Sequence, residues 1–238
     1  MIKEFKNTFK YYLDIRMLKI LLLGAMSGFP WVLIGSSLSL WLKEDGLSRS
    51  TVGWAGLIFS VYAFNYLWAP FIDRLRIPFL TSKLGSRRAW IILMQFLIII
   101  CLILWSMMDA TENLYLLISI GLIIAISSAT QDITIDALRI EQINANENKS
   151  MAAGAAMVVV GWWTGYKLGG VISLFSAEFF ENSGFENYWQ ITFLVLGALI
   201  IFMNIGLLFI KEKKDIEREN SQKLSEKLII KKMGLKIP

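Results

Sequence analysis

Two carboxylates and an arginine follow one of the long apolar runs of this chain at helical spacing. The stretch SSATQDITIDALRIE carries Gln131, Asp132, Asp136 and Arg139 directly after the apolar residues LYLLISIGLIIAI. A helix turns about 100° per residue, so Asp132, Asp136 and Arg139 share one face of a predicted helix. Carboxylates placed in this way can take up protons or hold polar solutes. Which of these they do depends on the element that positions them.

The composition places the chain in a membrane rather than in water. Of its 238 residues, 55% are hydrophobic and only 18% are charged, whereas a soluble domain has about 25% charged residues. Histidine is absent and Cys101 is the single cysteine, which excludes a histidine-based metal site, a disulfide and a Cys-x-x-Cys motif. The chain also lacks the nucleophile elbow of hydrolases. We therefore predict no enzymatic activity, no metal and no cofactor.

Six apolar runs are long enough to cross a bilayer as helices. A hydrocarbon core of about 30 Å requires roughly 20 apolar residues per helix. The candidate spans are residues 17–42, 50–69, 89–108, 114–137, 150–174 and 189–210. The first run is not expected to be a cleaved signal peptide, because it is long, lacks a small-residue cleavage site and precedes five further spans. The sequence predicts an all-α membrane protein with an N-terminal segment 1–16, a six-helix bundle 17–210 and a tail 211–238.

Lysine and arginine are concentrated in alternate connections between these spans. Segments 1–19, 70–88, 139–149 and 211–238 hold five, five, two and nine of these residues, and the connections between them hold two. The positive-inside rule then predicts that both termini lie in the cytoplasm, as an even number of spans requires. The asymmetry accounts for the pI of about 9.2 without a nucleic-acid partner. The basic tail is expected to be either a helix on the surface of anionic lipid or a disordered linker.

Depth in the membrane separates the two carboxylates. With the fourth span centred near residue 126, Asp132 lies about 9 Å from the midplane and Asp136 about 15 Å from it, at the edge of the hydrocarbon. Asp136 and Arg139 can therefore form an ordinary interfacial pair at i, i+3. An aspartate in the core costs about 2.5–3.5 kcal/mol and is too short to reach the headgroups. Asp132 is expected to face protein or water, either in a functional role shared with Gln131 or in a structural polar contact.

The fifth span combines a packing motif with one lysine. Gly161, Gly165 and Gly169 repeat every four residues, a spacing that allows two helix backbones to approach closely. Lys167 lies on the outer side of the midplane, where its side chain can either reach the interface or line a polar path. About 16 Å along the membrane normal separates it from Asp132. We expect no direct ion pair between these two residues.

The first span has an irregular sequence. Pro30, in the motif SGFP, lacks a backbone donor, and a kink is expected there. The serines that follow, Ser36, Ser37 and Ser39, either line a cavity or form hydrogen bonds between helices. Tryptophans near the ends of the spans are expected to anchor in the headgroup region. They are Trp41, Trp68, Trp90, Trp105 and Trp189.

The connection between the second and third spans is basic and carries a recognisable pattern. Asp73 and Arg74 end the second span, and Gly85-x-Arg87-Arg88 opens the third. This arrangement is similar to the conserved cytoplasmic loop of major facilitator transporters, with a longer insert between its two halves.

Five motifs occur in the order and spacing of one transporter family. They are SGFP, LWAPFIDR, SRRAW, SSATQDITIDA and GYKLGG. Over residues 17–210 the chain resembles the AmpG-type muropeptide permeases, a branch of the major facilitator superfamily. The resemblance implies proton-coupled import of GlcNAc-anhydromuropeptides across the bacterial inner membrane for cell-wall recycling, which feeds the induction of β-lactamase.

The resemblance also implies roles for individual residues. Gln131, Asp132 and Asp136 match polar positions that the family uses in its central cavity. Lys167 replaces an arginine that is usual in the family, which keeps the charge but loses the bidentate fork for a carboxylate. Asn65 stands where a lysine is common, so a cationic contact is missing there. Lys167 and Asn65 are expected to hold acidic or hydroxyl groups of the glycopeptide.

Length is the largest departure from the family. Its members have a second helical half, and the substrate site lies between the two six-helix halves. The resemblance therefore implies that this chain is the amino-terminal half of a transporter. Three explanations are open: a truncated or split gene product, a half that pairs with a second polypeptide, and a homodimer. The functional alternatives are a non-transporting remnant or partner subunit, and a permease of the related acetyl-CoA type.

Overall fold

The computed structural model of this chain describes residues 10–144 and 146–212, and these are arranged as a helical bundle. Five helices are long and apolar enough to cross a membrane: α1 (Ile15–Glu44), α3 (Ser86–Trp105), α4 (Leu114–Glu141), α5 (Asn148–Asn182) and α6 (Tyr188–Leu208). They coincide with five of the predicted spans, and the all-α class is confirmed. The predicted tail helix or linker falls on residues outside the described ones, apart from Lys211 and Glu212.

The second predicted span, residues 50–69, lies in a segmented helix. This element, α2, covers residues 49–74. Its α-helical pieces are Arg49–Ala55, Val61–Phe64 and Ala69–Arg74, and 3₁₀ segments lie between them at Gly56–Ser60 and Asn65–Leu67. A 3₁₀ segment rises about 2.0 Å per residue, so it lengthens the helix and changes which side chains share a face. A short helix, Leu80–Leu84, then leads into α3.

α1 and α5 form the closest helix pair in the described part of the chain. A Cβ atom added at Gly28 of α1 would overlap the carbonyl of Trp162, and one added at Gly165 of α5 would overlap the carbonyl of Ala25. The same holds one turn away on each helix, at Gly24 and Gly161. The two backbones therefore touch without intervening side chains. This close packing is the geometry that small residues at four-residue spacing allow.

All three predicted packing glycines of the fifth span lie in this contact between α1 and α5, which we call the glycine seam. Gly169, the third of them, faces the ring of Phe29. The partner glycines on α1 are spaced in the same way, at positions 24 and 28. That spacing was visible in the sequence but was not used in the prediction.

An aromatic core lies at the end of the bundle where α1 ends. The ring centroids of Trp105 and Phe193 are 5.0 Å apart, and those of Trp41 and Phe193 are 5.1 Å apart. Trp189 donates its indole N–H to a carboxylate oxygen of Glu44 at 2.7 Å. Trp41, Trp105 and Trp189 are at most 1% exposed, so the expectation that these three anchor in the headgroup region is wrong. They instead bury large apolar rings between α1, α3 and α6.

A cluster of charged side chains joins the start of α1 to the residue before α5. The Arg16 guanidinium donates to the Glu147 carboxylate at 3.0 and 2.8 Å and to Asp14 at 2.8 Å. The hydrogen bonds from Arg16 lower the pKa of the Glu147 carboxyl to about 2. They also lower the pKa of Asp14.

The start of α3 is capped by a residue that follows α6. Gly85 precedes the helix with a φ of +94°, a conformation that glycine adopts without strain. The Glu212 carboxylate accepts hydrogen bonds from the backbone N–H groups of Arg87 and Arg88 at 3.1 and 3.2 Å. A carboxylate at this place satisfies free helix donors and matches the positive end of the helix dipole.

Candidate functional site

Asp132 lies where α4 meets α1. The Ser27 hydroxyl donates to its Oδ1 at 2.6 Å. The indole N–H of Trp31, one turn further along α1, lies close enough to interact with the same carboxylate. It stays outside hydrogen-bonding geometry, and it is buried without a partner in the described part of the chain. The carboxylate therefore has one short hydrogen bond and a second donor beside it.

A cavity of about 320 Å³ borders this carboxylate. Its polar wall consists of Ser27, Asp132 and Asp136. Its apolar wall consists of Ile135, Val158, Val159 and Trp162. Asp132 thus combines a polar contact with Ser27 and a place on the wall of a cavity. The volume is at the lower end of the range of about 300–1,000 Å³ for small-molecule sites.

Two further buried hydroxyl groups lie near this carboxylate. The hydroxyl of Tyr62 interacts with Asp132 and with the Ser128 hydroxyl. Neither hydroxyl has a partner within hydrogen-bonding geometry among the described residues. Since buried polar side chains usually have such partners, these two groups and the Trp31 indole add free hydrogen-bonding capacity around Asp132.

Gln131 has a different role from its neighbour. Its side chain is fully buried, and its Nε2 donates to the backbone carbonyl of Met26 at 2.8 Å. In a regular helix that carbonyl would accept from the N–H of residue 30, but residue 30 is Pro30 and has no N–H. The Gln131 amide therefore replaces the missing donor. The structure places Gln131 in this helix contact and not on the wall of the cavity.

The part of α1 that follows Pro30 is irregular. Residues Val32–Ser37 form a π-helical segment within α1. Such segments occur as local bulges and often lie at functional sites. Both roles predicted for the serines that follow, hydrogen bonding between helices and lining a cavity, are found. Ser37 forms a hydrogen bond with Ser173 of α5 at 2.7 Å. Ser36 and Ser39 line a second cavity of about 610 Å³, together with Lys43 and Arg49.

The remaining predicted site residues lie apart from Asp132. Lys167 is exposed, and its Nζ lies 5.9 Å from the centre of the Trp163 ring, a cation–π distance. Within the described residues it forms no ion pair with Asp132, as the spacing predicted. Asn65 lies in the 3₁₀ segment Asn65–Leu67 and does not line the cavity beside Asp132. Both residues would have to act on another part of a bound solute.

Asp136 both forms the predicted pair with Arg139 and lines the cavity. Arg139 Nε donates to its Oδ1 at 3.3 Å, which is the i, i+3 pair. Asp136 is nevertheless part of the cavity wall. Because its side chain is 64% exposed, it is available to a bound solute in spite of this weak pair.

In the basic connection between α2 and α3, the charged residues of the predicted loop motif lie around Arg87. Its Nε donates to Glu141 at the end of α4 at 2.8 Å, and its Nη1 lies 4.0 Å from Asp73. Arg74 is exposed, and Arg88 contributes its backbone N–H to the Glu212 cap. The structure thus joins the ends of α2, α3 and α4 through Arg87.

Four residues near Asp132 were missed in the sequence interpretation as members of the site: Ser27, Trp31, Tyr62 and Trp162. Ser27 was quoted only as part of SGFP, and no signal in the sequence pairs it with a residue on a helix far along the chain. Over residues 10–144 and 146–212, no group of three or more His, Cys, Asp and Glu side chains is arranged to hold a metal ion.

A bundle of helices long and apolar enough to cross a membrane, with a carboxylate on the wall of a cavity between them, defines a multi-pass membrane protein. Comparison of the sequence with known families agrees with this class. The profile described as Major Facilitator Superfamily matches residues 20–237. The chain belongs to the major facilitator superfamily.

Within this superfamily the chain is similar to AmpG-type permeases. It is 32% identical to AmpG 4, a candidate transporter of Rickettsia felis, over 205 residues that make up 86% of this chain and 47% of that protein. It is 30% identical to the anhydromuropeptide permease of Escherichia coli K12 over 196 residues, 82% of this chain and 37% of that protein. The chain spans about half the length of the curated relatives it matches, or less.

Proposed function

We propose that this chain is the amino-terminal half of a proton-coupled permease that imports anhydromuropeptides across the bacterial inner membrane. The observation that carries the proposal is the Asp132 carboxylate, which is held by Ser27 at the border of a cavity between α1, α4 and α5. The similarity to an anhydromuropeptide permease supports the choice of substrate. We further propose that the protein is a transporter and not an enzyme, in keeping with the names of these relatives.

The proposed mechanism follows from the cost of an ionised carboxylate inside a membrane. Ser27 stabilises the charged form of Asp132 by donating a hydrogen bond, and protonation removes the charge and weakens the need for that donor. A proton can therefore bias which arrangement of α1 and α4 is favoured. In transporters of this architecture, two halves rock about a central site and expose it to one side at a time.

One half supplies one wall of such a site, so a second six-helix half completes the proposal. We propose that both termini of this half lie in the cytoplasm, in line with the distribution of lysine and arginine. The second half can be a continuation of the same polypeptide, a separate polypeptide or a second copy of this chain. The alternatives are a non-transporting remnant or partner subunit, and a permease of the acetyl-CoA type.

Uptake of labelled GlcNAc-anhydromuropeptide by cells that lack their own permease tests the function. The chain is expressed alone and together with a carboxy-terminal half from a related permease, and labelled acetyl-CoA serves as the second substrate. We expect muropeptide uptake that depends on the proton gradient, at least when both halves are present. Uptake of acetyl-CoA alone would favour the related branch. No uptake of either compound in any combination would favour the non-transporting alternative.

The role of Asp132 is tested in the same two-half system. Asp132→Asn removes the ionisable group and keeps the size of the side chain. We expect accumulation driven by the proton gradient to fall about tenfold or more, because the variant has no carboxyl at this depth to take up the proton. Asp109→Asn, in the connection between α3 and α4, is the control and should leave accumulation unchanged. Full accumulation by Asp132→Asn would remove the proposed role.

A further inference from the structure

Trp162 is the aromatic residue that borders the Asp132 cavity, and its position is fixed by several contacts. Its backbone carbonyl lies against Gly28, where a side chain would not fit. Its ring is parallel to that of Tyr166, with centroids 5.6 Å apart and planes at 9°. Trp31 and Trp163 also pack against it in T-shaped contacts, with ring centroids 5.4 and 5.1 Å away. The indole is thus held in place by three aromatic neighbours.

The other groups around Trp162 are acceptors and donors of hydrogen bonds. Asp132 and Asp136 present carboxylates to the same cavity, and Ser27 presents a hydroxyl. A broad, rigid aromatic face bordered by carboxylates matches the two surfaces of a sugar. The C–H face of a pyranose ring is apolar and packs on an indole, whereas its hydroxyl groups lie at the rim and donate to carboxylates.

We propose that Trp162 is the platform for one pyranose ring of the glycopeptide, with Asp132 and Asp136 accepting hydrogen bonds from the hydroxyl groups of that sugar. This inference rests on the proposed function and adds which part of the substrate lies at this cavity. A cavity of about 320 Å³ is at the lower end for small-molecule sites, so it takes one sugar unit and not the whole glycopeptide.

The charges of the site also orient the substrate. Two carboxylates repel the carboxylate groups of a peptide, so the neutral sugar end is the part that fits beside them. Lys167 lies five residues beyond Trp162 on α5, about 7.5 Å along the helix axis. Its ammonium group lies over the ring of Trp163, the residue after Trp162, and outside this cavity. The acidic peptide end of the glycopeptide therefore extends out of the cavity, where Lys167 is the cation that the same helix offers.

Equilibrium binding to the purified full chain in lipid nanodiscs, alone and together with the carboxy-terminal half from a related permease, tests this assignment. The probes are the labelled disaccharide GlcNAc-anhydroMurNAc, the same disaccharide carrying its peptide, and the free peptide. The variants are Trp162→Ala, Trp162→Phe and Lys167→Ala. Trp54→Ala is the matched control, because Trp54 is 69% exposed and does not line this cavity. Size-exclusion profiles show that each variant stays folded.

We expect Trp162→Ala to weaken binding of both sugar-containing probes by about tenfold, the usual scale for removing a tryptophan anchor. Trp162→Phe keeps an aromatic face and should lose less. Lys167→Ala should weaken binding of the peptide-bearing probe only. Trp54→Ala should bind like the unaltered chain.

Two outcomes separate this inference from the proposed function. If the unaltered chain binds the glycopeptide and Trp162→Ala binds it equally well, the platform is refuted and the proposed substrate stands. If Trp162→Ala weakens the free peptide as much as the disaccharide, the assignment of the sugar end is refuted. If the unaltered chain binds none of the three probes, either alone or together with the second half, the proposed substrate and the platform are both refuted.

Discussion

Among single residues, Gln131 shows how a side chain can supply a hydrogen bond that a helix backbone lacks. Pro30 leaves the Met26 carbonyl without its helical donor, and the Gln131 amide from α4 supplies one at 2.8 Å. The adjacent Asp132 contacts Ser27, the residue after Met26. Two neighbouring residues of α4 thus bind two neighbouring residues of α1. Any movement of the proline region changes the surroundings of the carboxylate at once.

A double-mutant cycle tests this link. Gln131→Leu removes the donor and leaves a buried carbonyl unpaired, which costs about 1–3 kcal/mol of stability. Pro30→Ala restores a backbone N–H to the Met26 carbonyl, so the same Gln131→Leu change should then cost much less. The measurement is the thermal unfolding temperature of the purified chain in detergent. Equal losses in both backgrounds would show that Gln131 and Pro30 act independently.

The residues of the site were only partly predictable from the sequence. The depth of Asp132 in an apolar run was enough to expect protein or water around it, because the cost of a charge in hydrocarbon is general. The role of Gln131 was not predictable, since it depends on which carbonyl lies opposite. The place of Trp162 in the site was not predictable for a similar reason. The contact between α1 and α5 brings it next to residues that are distant in the sequence.

At the level of helices, the seam between α1 and α5 fixes the geometry of the cavity. Gly165 contacts the Ala25 carbonyl directly, whereas a Cβ added at Gly170 of the same helix would meet open space. The two glycines are therefore a matched pair for substitution by alanine.

We expect Gly165→Ala to destabilise the chain by about 1–3 kcal/mol, because the two backbones must separate to admit the methyl group. Gly170→Ala should be neutral or slightly stabilising, because alanine favours a helix over glycine by about 1 kcal/mol. Thermal unfolding in detergent measures both. Equal stability of the two variants would contradict the close contact.

A second contact between these helices depends on pH. The pKa of Glu147 is lowered from 4.5 to about 2 by hydrogen bonds from Arg16. A carboxyl with a lowered pKa in the folded state stabilises the fold above its unfolded pKa and loses that contribution as the pH falls through the folded value. The contribution is therefore complete above about pH 4.5 and disappears towards pH 2.

Glu147→Gln is the variant that tests this pH dependence. We expect it to lower the unfolding temperature by the same amount at pH 7 and pH 5.5, and by progressively less below about pH 4. Glu186→Gln, an exposed carboxyl before α6, is the control and should show a smaller effect. A difference that grows as the pH falls would contradict the ion pair with Arg16.

The helices themselves were predicted better than their packing. Length and apolarity located five of them, because a bilayer sets both quantities. The breaks in α2 were not expected, although Gly56 opens the first 3₁₀ segment and Pro70, which follows the second, leaves the Tyr66 carbonyl without a helical donor. Trp41, Trp105 and Trp189 were misplaced because position near the end of a span does not reveal whether a ring faces lipid or another helix.

For the whole molecule, the proposed orientation places both termini in the cytoplasm. A pair of single cysteines tests it, in a background where the buried Cys101 is replaced by alanine. Ser82, in the basic connection between α2 and α3, and Ser183, in the connection between α5 and α6, are both exposed hydroxyl residues outside the long helices. Their substitution by cysteine adds one reactive thiol to each of these two connections.

We expect an impermeant maleimide added to intact spheroplasts to label Ser183→Cys and to leave Ser82→Cys unlabelled until the membrane is opened. The physical reason is the excess of lysine and arginine in the connection that contains Ser82, which disfavours its translocation. Labelling of Ser82→Cys in intact spheroplasts would reverse the orientation. Labelling of both positions would show that the number of crossings between them is even.

The contact of Glu212 with the start of α3 extends the packing of the bundle beyond its sixth helix. The sixth helix stops at Leu208, yet the carboxylate four residues later satisfies the backbone of a helix that begins at Ser86. A polypeptide cut directly after the sixth helix would keep every apolar segment and still leave the third helix frayed. A tag or a fused second half therefore has to be joined beyond residue 212, from a point beside the loop between α2 and α3.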